Sequence, residues 1–491
     1  MSNTENSHLS ANQLDVFVVG GGIVGAGLAR DAAMRGLRTA LVEQGDFASG
    51  TSSRSSRLLH GGIRYLAQAR IGLVREASKE KTVVHRIAPH LSEPLAFIFP
   101  THSRGGWYRW KLSIGVKLYD LLCGRRNLGR SSSFNKRKTL ELLPGLSTHG
   151  LTGSVRYYDG LTNDARLVLD TLRSAEANGA SVNNYIRFVA ATPEDGFWRC
   201  ELFNERTHKP LEVRTRSVIN ATGPWSDKMA WSKTSLRLTK GVHLVIDRAR
   251  LSVPDAVVMA EKDRILFAIP WGKRVILGTT DTDYDGPIGS PTCDPEDVQY
   301  VLEVVNQSFP KANLTESDVM STWAGLRPLV ADKNGDPSDI SRRHEIAMGH
   351  PGWWDVTGGK LTTYRLMAED TINAVVEHLE ISASACRTAN EPLLANDGTD
   401  PVSGIVPPEL SCSIVQHYCR SEWARHLEDV MIRRTSWRYY HPEHLEIARQ
   451  VATWMGETLG WNEAETEAEL NQYFQLDREQ KYERDDDTRT G

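Results

Sequence analysis

The chain has no run of about 18 apolar residues, the length a helix needs to span a bilayer, although 40% of its 491 residues are hydrophobic. Cysteine is scarce: the six residues, Cys123, Cys200, Cys293, Cys386, Cys412 and Cys419, are scattered with no CxxC pair. That argues against a disulfide framework or a zinc site and for a reducing compartment. No metal site is expected. An excess of basic charge is also missing. Lys and Arg total 58 against 62 Asp and Glu, a formal net charge of -4, so no global field favours nucleic acid. The N-terminal stretch MSNTENSHLSANQLD has no apolar core of a secretory signal, so none is expected. Internal repeats are absent.

A chain of 491 residues exceeds one ordinary core, so two or three domains are expected. Residues 1–14 and 481–491 read as polar and charged tails. Between them, DVFVVGGGIVGAGLARDAAMRGLRTALVEQGDF holds a strand, a turn, a helix and a second strand in order. Gly20, Gly22 and Gly25 make G-x-G-x-x-G. The first permits a tight turn, the second lets backbone approach a pyrophosphate, and the third lets helix and strand pack closely. The helix N-terminus offers unpaired N–H groups and partial positive charge to phosphates. Glu43 closes the second strand about 20 residues on, where an acid can accept from ribose hydroxyls. Dinucleotide binding is the reading.

The stretch TSSRSSRLLHGGIRYL, 51–66, lies just beyond that second strand. Thr51, Ser52, Ser53, Ser55 and Ser56 supply hydroxyls and backbone N–H groups for phosphate and ribitol oxygens. A nicotinamide nucleotide does not need a second polar shell of this length, so the cofactor is read as flavin. On this stretch alone, a Ser-rich surface loop is the alternative.

Further motifs continue the pattern: VINATGPW, GTTDTDY, GLRPLVAD and GGKLTTYR. With GGGIVGAGLARDAAMRGL and TSSRSSRLLHGGIRYL, and in this order, they resemble the FAD-dependent, respiratory glycerol-3-phosphate dehydrogenases. The resemblance spans about 15–379 and continues more weakly beyond. It implies an α/β chain, α+β overall: a glutathione-reductase-type, Rossmann-like FAD-binding domain, an antiparallel β-sheet substrate domain and a C-terminal helical domain. It implies non-covalent FAD, oxidation of sn-glycerol 3-phosphate to dihydroxyacetone phosphate, and electrons passed to ubiquinone or menaquinone. It also implies peripheral attachment to the inner, cytoplasmic face of the cytoplasmic membrane. The oxidoreductase region is expected over 15–385, with FAD-binding parts about 15–75, 150–225 and 345–385. Substrate-binding parts are expected about 76–149 and 226–344. A linker over 386–408 and a helical domain over 409–480 follow.

Read for chemistry, RSVINATG is a strand ending in small residues. Ala221 and Gly223 let backbone lie against the adenine half of the cofactor, although a strand stop before Pro224 accounts for them equally. RILFAIPWGKRVILGTTDTD reads as a hairpin with Thr279, Thr280 and Asp281 at a strand end. In WWDVTGGKLTTYRLMAEDTINAVVEHL a strand turns at Gly358 and Gly359. Leu361, Tyr364, Ala368, Ile372, Val375 and Leu379 then recur at helical spacing. Gly359, Lys360, Leu361 and Thr362 therefore sit at a helix N-terminus, which can stabilise the negative charge of a reduced flavin.

A phosphate dianion calls for several arginines in one cleft. The resemblance carries Arg64, Tyr65, Arg327, Arg342 and Lys360 over as substrate contacts, with Arg327 and Arg342 also catalytic, and favours Arg342 over the adjacent Arg343. It places His243 over the flavin face as the base for the C2 hydroxyl; Arg327 or a water remains an alternative base. A neutral imidazole near pH 7 suits that task. Leu58 and His60 are taken as further flavin contacts.

RGGWYRWKLSIGVKLYDLLCGRRNLGR puts Trp107, Trp110, Ile114, Leu118, Leu121 and Leu122 on one helical face, with Arg125, Arg126 and Arg130 at its end. Trp107–Leu122 suits an anionic membrane surface; packing on its own domain is the other reading, and a lipid-soluble acceptor tips the balance to the membrane. Arg433, Arg434 and Trp437 resemble the family's helical cap, whose role, structural or in homodimer contacts, stays open. The rival functions are a glycerol-3-phosphate oxidase using oxygen, an amino-acid or amine oxidase of the same fold, and a flavin-bearing scaffold without turnover.

Overall fold

The computed structural model describes residues 13–62, 70–103, 109–123, 127–261, 264–330, 344–394 and 402–480. Strands β1 (Val16–Val19), β2 (Thr39–Val42), β7 (Ser181–Asn183), β11 (Val218–Asn220) and β19 (Trp353–Gly358) form a parallel sheet in the order β19-β11-β1-β2-β7. Strand β18 (His344–His350) adds antiparallel to the β19 edge. The runs VFVV and TALV are buried at every position, as parallel strands covered on both faces require. Helix α1 (Ile23–Met34) follows β1, and its Ala26, Ala29 and Ala32 are buried in the same core.

Strands β8 (Ile186–Glu194), β9 (Phe197–Asn204) and β10 (Lys209–Thr215) form an antiparallel meander. Its Trp198, Cys200 and Leu202 share a core with Phe17 and Val19 of β1. The largest sheet has ten strands. They are β3 (Leu58–Leu59), β4 (Ser92–His102), β5 (Ser132–Asn135), β6 (Leu151–Thr162), β12 (Leu236–Asp247), β13 (Ala256–Glu261), β14 (Arg264–Trp271), β15 (Arg274–Gly278), β16 (Thr282–Asp283) and β17 (Val319–Val330). It is antiparallel except where β13 runs parallel to β4. The hairpin expected from RILFAIPWGKRVILG is β14–β15, closing on Trp271 and Arg274.

The stretch 150–162, read from the sequence with the cofactor part, forms β6, which pairs with β4 in the large sheet. Its side chains Val155, Tyr157 and Leu161 belong to that sheet's core with Phe97 and Phe99. The cofactor part resumes at the helix that follows β6. The remaining helices before the cap are α2 (Ile71–Ile87), α3 (Arg109–Cys123), α4 (Lys136–Leu142), α5 (Asp164–Ala177), α6 (Pro295–Ser308) and α7 (Tyr364–Leu379).

The expected linker is also not free chain over its described first part. Arg30, buried in α1, donates to the Thr388, Glu391 and Pro392 carbonyls. Leu393 N–H donates to the Ile87 carbonyl. A buried guanidinium demands acceptors, and this strap supplies them. The C-terminal part contains α8 (Cys412–Ser421), a π-helical turn Asp429–Arg434, α9 (Trp437–Tyr440), α10 (His444–Leu459) and α11 (Glu463–Gln480). It has its own core around Val415, Tyr418, Met431, Trp437 and Val451.

Two buried ion-pair networks join this cap to the cofactor domain. Arg166 of α5 donates to Glu422 at 2.9 Å and to Asp170 at 3.0 Å. Asp46 accepts from Arg433 and Arg434, whose Nη2 lies 2.9 Å from Oδ1. Burial alone would push the Asp46 carboxyl up, but the Arg434 and Arg433 charges hold it below its usual value. Removing one partner of such a pair leaves an uncompensated buried charge. Arg434→Ala is therefore expected to destabilise the protein by about 3–5 kcal/mol, measured as a lowered denaturation midpoint in urea.

Candidate active site

The glycine turn is set by contact. Gly20 has φ +112, and a Cβ there would lie 2.5 Å from the Ala221 carbonyl oxygen. A Cβ on Gly25 would lie 1.9 Å from the Gly20 oxygen, so only glycine lets α1 begin this close to β1. Gly22 is the N-cap of α1 and gives no side-chain cap. Ser52 Oγ accepts from Ile23 N–H instead, at 3.0 Å. Glu43 ends β2, and its carboxylate accepts from Gly21 N–H at 2.7 Å and Gly45 N–H at 3.0 Å. Burial pushes this carboxyl above its usual range, against those two hydrogen bonds.

A cavity of about 370 Å³ runs over this turn. Ile186 and Phe188 line it, as do Pro328 and the Gly359–Leu361 turn. Of the residues read from the sequence as cofactor contacts, Gly20, Gly22, Glu43, Thr51, Ser52, Ala221, Gly223, Gly359, Lys360 and Leu361 line it. Gly358 and Gly359 turn the chain at φ +71 and +73, and Lys360 stands at the start of the turn Leu361–Thr363 that leads into α7. The lining fits a flavin dinucleotide: a helix N-terminus and hydroxyls for phosphates, an acid for a ribose, and a second helical N-terminus with a lysine.

The serine run does not act as one cradle. Thr51 and Ser52 line the cavity, and the Thr51 hydroxyl donates to the Leu326 carbonyl at 2.7 Å. Ser53 is buried. Ser55 turns to Asp164, donating through its hydroxyl at 2.7 Å and its N–H at 2.9 Å. Ser56 Oγ lies 2.8 Å from His243 Nε2. Leu58 is buried in the large-sheet core. His60 is clipped to the cofactor-facing turn: its N–H donates to Thr362 Oγ1 at 3.0 Å, and that hydroxyl points back to the His60 carbonyl at 3.3 Å.

His243 and Arg327 come near each other on paired strands: in the β12–β17 register Arg327 is opposite Thr239, Gly241 opposite Gly325 and His243 opposite Trp323. A Cβ on Gly241 would fall 2.3 Å from Arg327 Nη2, so the glycine makes room for the guanidinium. Arg327 donates to Thr279 Oγ1 at 2.9 Å, the Thr280 carbonyl at 3.2 Å and Asp281 at 3.1 Å. His243 is 2% exposed and stacks on Trp323 with ring centroids 5.2 Å apart. Arg57 lies behind that indole, 5.3 Å from its centroid. Burial, then Arg327, then Arg57 push the His243 pKa down to about 3. The imidazole is thus neutral, as expected, but held as a weaker base than an ordinary histidine.

Arg64, Tyr65 and Arg342 lie outside the described residues, as do Trp107, Arg125 and Arg126. Sequence reasoning missed Ser49, Gly50, Trp225 and Lys228, which also line the cavity. Ser49 and Gly50 directly precede Thr51, so adjacency alone would have flagged them. The pairing of Ser56 with His243 spans 187 residues and had no local signal. On α3, Trp110, Ile114 and Leu121 of the expected apolar face are 62%, 62% and 75% exposed, and a second apolar side, Leu112, Val116 and Tyr119, points into the core.

The family described as FAD dependent oxidoreductase matches residues 15–365. The C-terminal domain of alpha-glycerophosphate oxidase matches 408–466. An aerobic glycerol-3-phosphate dehydrogenase of Staphylococcus aureus (strain USA300) is 38% identical over 414 residues, 81% of this chain and 74% of that one. The crystal structure of the glycerol-3-phosphate dehydrogenase from Bacillus halodurans complexed with FAD superposes with a TM-score of 0.79, 29% identity and 97% coverage of both chains. The L-alpha-glycerophosphate oxidase from Mycoplasma pneumoniae, at TM-score 0.62 and 16% identity over 78% of this chain and 98% of that one, shares the fold.

A depressed histidine pKa has a stability signature. Between the ordinary value of 6.5 and about 3, the unfolded chain binds a proton at His243 that the folded chain refuses. That contribution is present above pH 6.5 and is lost as the pH falls below it. The wild-type thermal midpoint should therefore fall more steeply than that of His243→Gln as the pH is lowered from 6.5, read by calorimetry of the two proteins side by side.

Proposed function

Because the chain belongs to the FAD-dependent glycerol-3-phosphate dehydrogenase family, we propose that it oxidises sn-glycerol 3-phosphate to dihydroxyacetone phosphate and hands the electrons to a membrane quinone. The observation that carries the chemical part is the meeting of Arg327 and His243 on paired strands, with Pro328, the next residue after Arg327, lining the cofactor cavity. When bound, FAD accepts two electrons and the hydrogen from substrate C2.

The protein's own groups bind, orient and move the proton. Arg327, held by Thr279 and Asp281, presents a fixed guanidinium to the anionic substrate, the geometry that bidentate phosphate recognition uses. His243 takes the C2 hydroxyl proton. Ser56 stands at Nε2, 2.8 Å away, and gives that nitrogen a hydroxyl through which a proton can move, while Nδ1 is buried with no hydrogen-bond partner among the described residues. A phosphate dianion beside Arg327 offsets the nearest cation that holds the imidazole down. Substrate binding thus raises the strength of the base when it is needed. Lys360 and the turn into α7 bring positive potential to the flavin edge.

The acceptor reading rests on α3. Trp110, Ile114 and Leu121 form an exposed apolar stripe, Ile71 at the start of α2 is also exposed, and Arg109, Lys111 and Lys117 are exposed beside them. Aromatic and basic residues on one helix suit the headgroup boundary of an anionic bilayer. No helix among the described residues is long and apolar enough to cross a membrane. Attachment at the cytoplasmic face of the cytoplasmic membrane brings the flavin to a lipid-soluble acceptor. Oxygen as acceptor is the second reading, favoured by the match of residues 408–466 to an alpha-glycerophosphate oxidase domain.

Anaerobic mixing of holoenzyme with sn-glycerol 3-phosphate should bleach the oxidised-flavin absorbance. Arg327→Ala should keep its flavin yet lose about 2–5 kcal/mol, roughly 30- to 5,000-fold in kcat/KM; a colourless Arg327→Ala protein would mean the residue serves the cofactor instead. With a short-chain quinone in air, peroxide should stay far below one per turnover, and stoichiometric peroxide would assign the enzyme to the oxidases. Trp110→Ser/Leu121→Ser should release the protein from phosphatidylglycerol vesicles in a sedimentation assay.

A further inference from the structure

The His60–Gly61 main chain is gripped from two sides. Thr362 holds His60 from the cofactor-facing turn. From the other side, Gly61 N–H donates to the Tyr119 hydroxyl at 3.0 Å and to Asp159 Oδ1 at 3.3 Å. Tyr119 in turn donates to Asp159 Oδ1 at 2.5 Å, and Lys81 Nζ donates to the same oxygen at 2.9 Å and to the Tyr158 carbonyl at 3.0 Å. Lys81, Tyr119 and Asp159 are all buried, so a charged pair and a phenol are withdrawn from water beside this peptide group, with Lys81 also reaching Asn127 Oδ1 at 3.4 Å.

Such burial is expensive unless every partner is in place. The three side chains come from α2, α3 and β6, tie these elements to one another, and converge on a main-chain segment that none of them contains. Space is equally restrictive. A Cβ on Gly61 would meet the Tyr119 hydroxyl at 2.4 Å and Ser78 Oγ at 2.5 Å. Tyr119 also lies on the inner face of the helix whose outer face carries Trp110, Ile114 and Leu121.

We propose that Tyr119 is a positioning residue: anchored by Asp159 and Lys81, its hydroxyl fixes the His60–Gly61 main chain against the cofactor-facing turn and thereby sets the rate of flavin reduction. The inference rests on the flavin-enzyme reading above. Tyr119→Phe keeps the ring and its packing and removes only the hydrogen-bonding oxygen.

The test uses full-length holoenzyme, anaerobic stopped-flow reduction by sn-glycerol 3-phosphate, and the flavin-to-protein ratio. Tyr119→Phe is expected to retain its flavin and to lose about tenfold in the limiting reduction rate, the scale of a small misplacement of reacting groups. Its half-saturating substrate concentration should stay within about threefold, since the Arg327 anchor proposed above lies on β17. An unchanged limiting rate, or a loss confined to half-saturation, overturns the proposal. If Tyr119→Phe does not fold, Lys81→Met/Asp159→Leu removes the anchor and both charges together, and the same loss is expected and the same outcomes overturn it. Leu112→Ala, on the same inner helix face, should lower the thermal midpoint but leave the limiting rate within about twofold; an equal loss of rate there means that the rate reports only loosened packing, and the proposal falls. Failure of wild-type holoenzyme to be reduced at all would instead sink the assignment of substrate.

Discussion

The close approach of Gly25 to the Gly20 carbonyl is the constraint on which the rest depends. It lets α1 start directly above β1 and aims the helix N-terminus along the cavity. The partial positive charge there is only useful if nothing fills the space in front of it. Gly22 provides that space by giving no side-chain cap, and Ser52 satisfies the first helical N–H from the side. One consequence is that the loop after β2 must return to the turn, which draws Thr51 and Ser52 to the cavity wall. The cofactor site is thus built by backbone contact first and by side-chain chemistry second.

The neighbourhood of His243 and Arg327 is built by a different rule. Its residues come from a broad sheet whose strands are far apart in sequence, and register decides what meets. Pairing of β12 with β17 puts glycine opposite glycine at Gly241 and Gly325; the Arg327 guanidinium fills the space over the first and the Arg54 main chain that over the second. The same register sets His243 opposite Trp323, whose indole N–H donates to the Ser55 carbonyl. A one-residue slip would send every one of these side chains to the other face of the sheet. The electrostatics follow from that geometry. Two guanidinium groups near one buried imidazole keep it neutral, and an incoming dianion is the natural counterweight.

Local motifs were legible; long-range partners were not. G-x-G-x-x-G, Glu43 and the GGKLTT turn could be read because each element closes within a short stretch of chain and its residue types answer to backbone geometry. The serine run was over-read for the opposite reason. Serine is small and polar wherever it lies, so nothing in TSSRSSR distinguishes Ser52, which faces the cavity, from Ser55, which faces Asp164, or Ser56, which faces His243. The α3 stripe was half-read. Trp110, Ile114 and Leu121 were correctly grouped, but Leu112, Val116 and Tyr119 form a second apolar side that a search for one face overlooks. The long buried run of β6 is compatible with either sheet, and only its pairing with β4 decides.

The C-terminal cap shows why its role could not be read locally. Arg433 and Arg434 are adjacent basic residues in a helical region, a pattern that usually means a solvated surface. Here both reach Asp46, 387 and 388 residues away. Asp46 precedes Ser49 by three positions, and Ser49 lines the cofactor cavity. The loop between β2 and the serine turn is therefore fixed at both ends: by the Glu43 carboxylate on Gly21 and Gly45, and by the cap's guanidinium groups on Asp46. A loop held only by its own hydrogen bonds would open with local fluctuations. One clamped by a buried ion pair can open only by exposing unpaired charge. The cap thus supports the wall of this cavity, and a chain ending before Arg433 would leave Asp46 with the Asn184 amide but without either guanidinium.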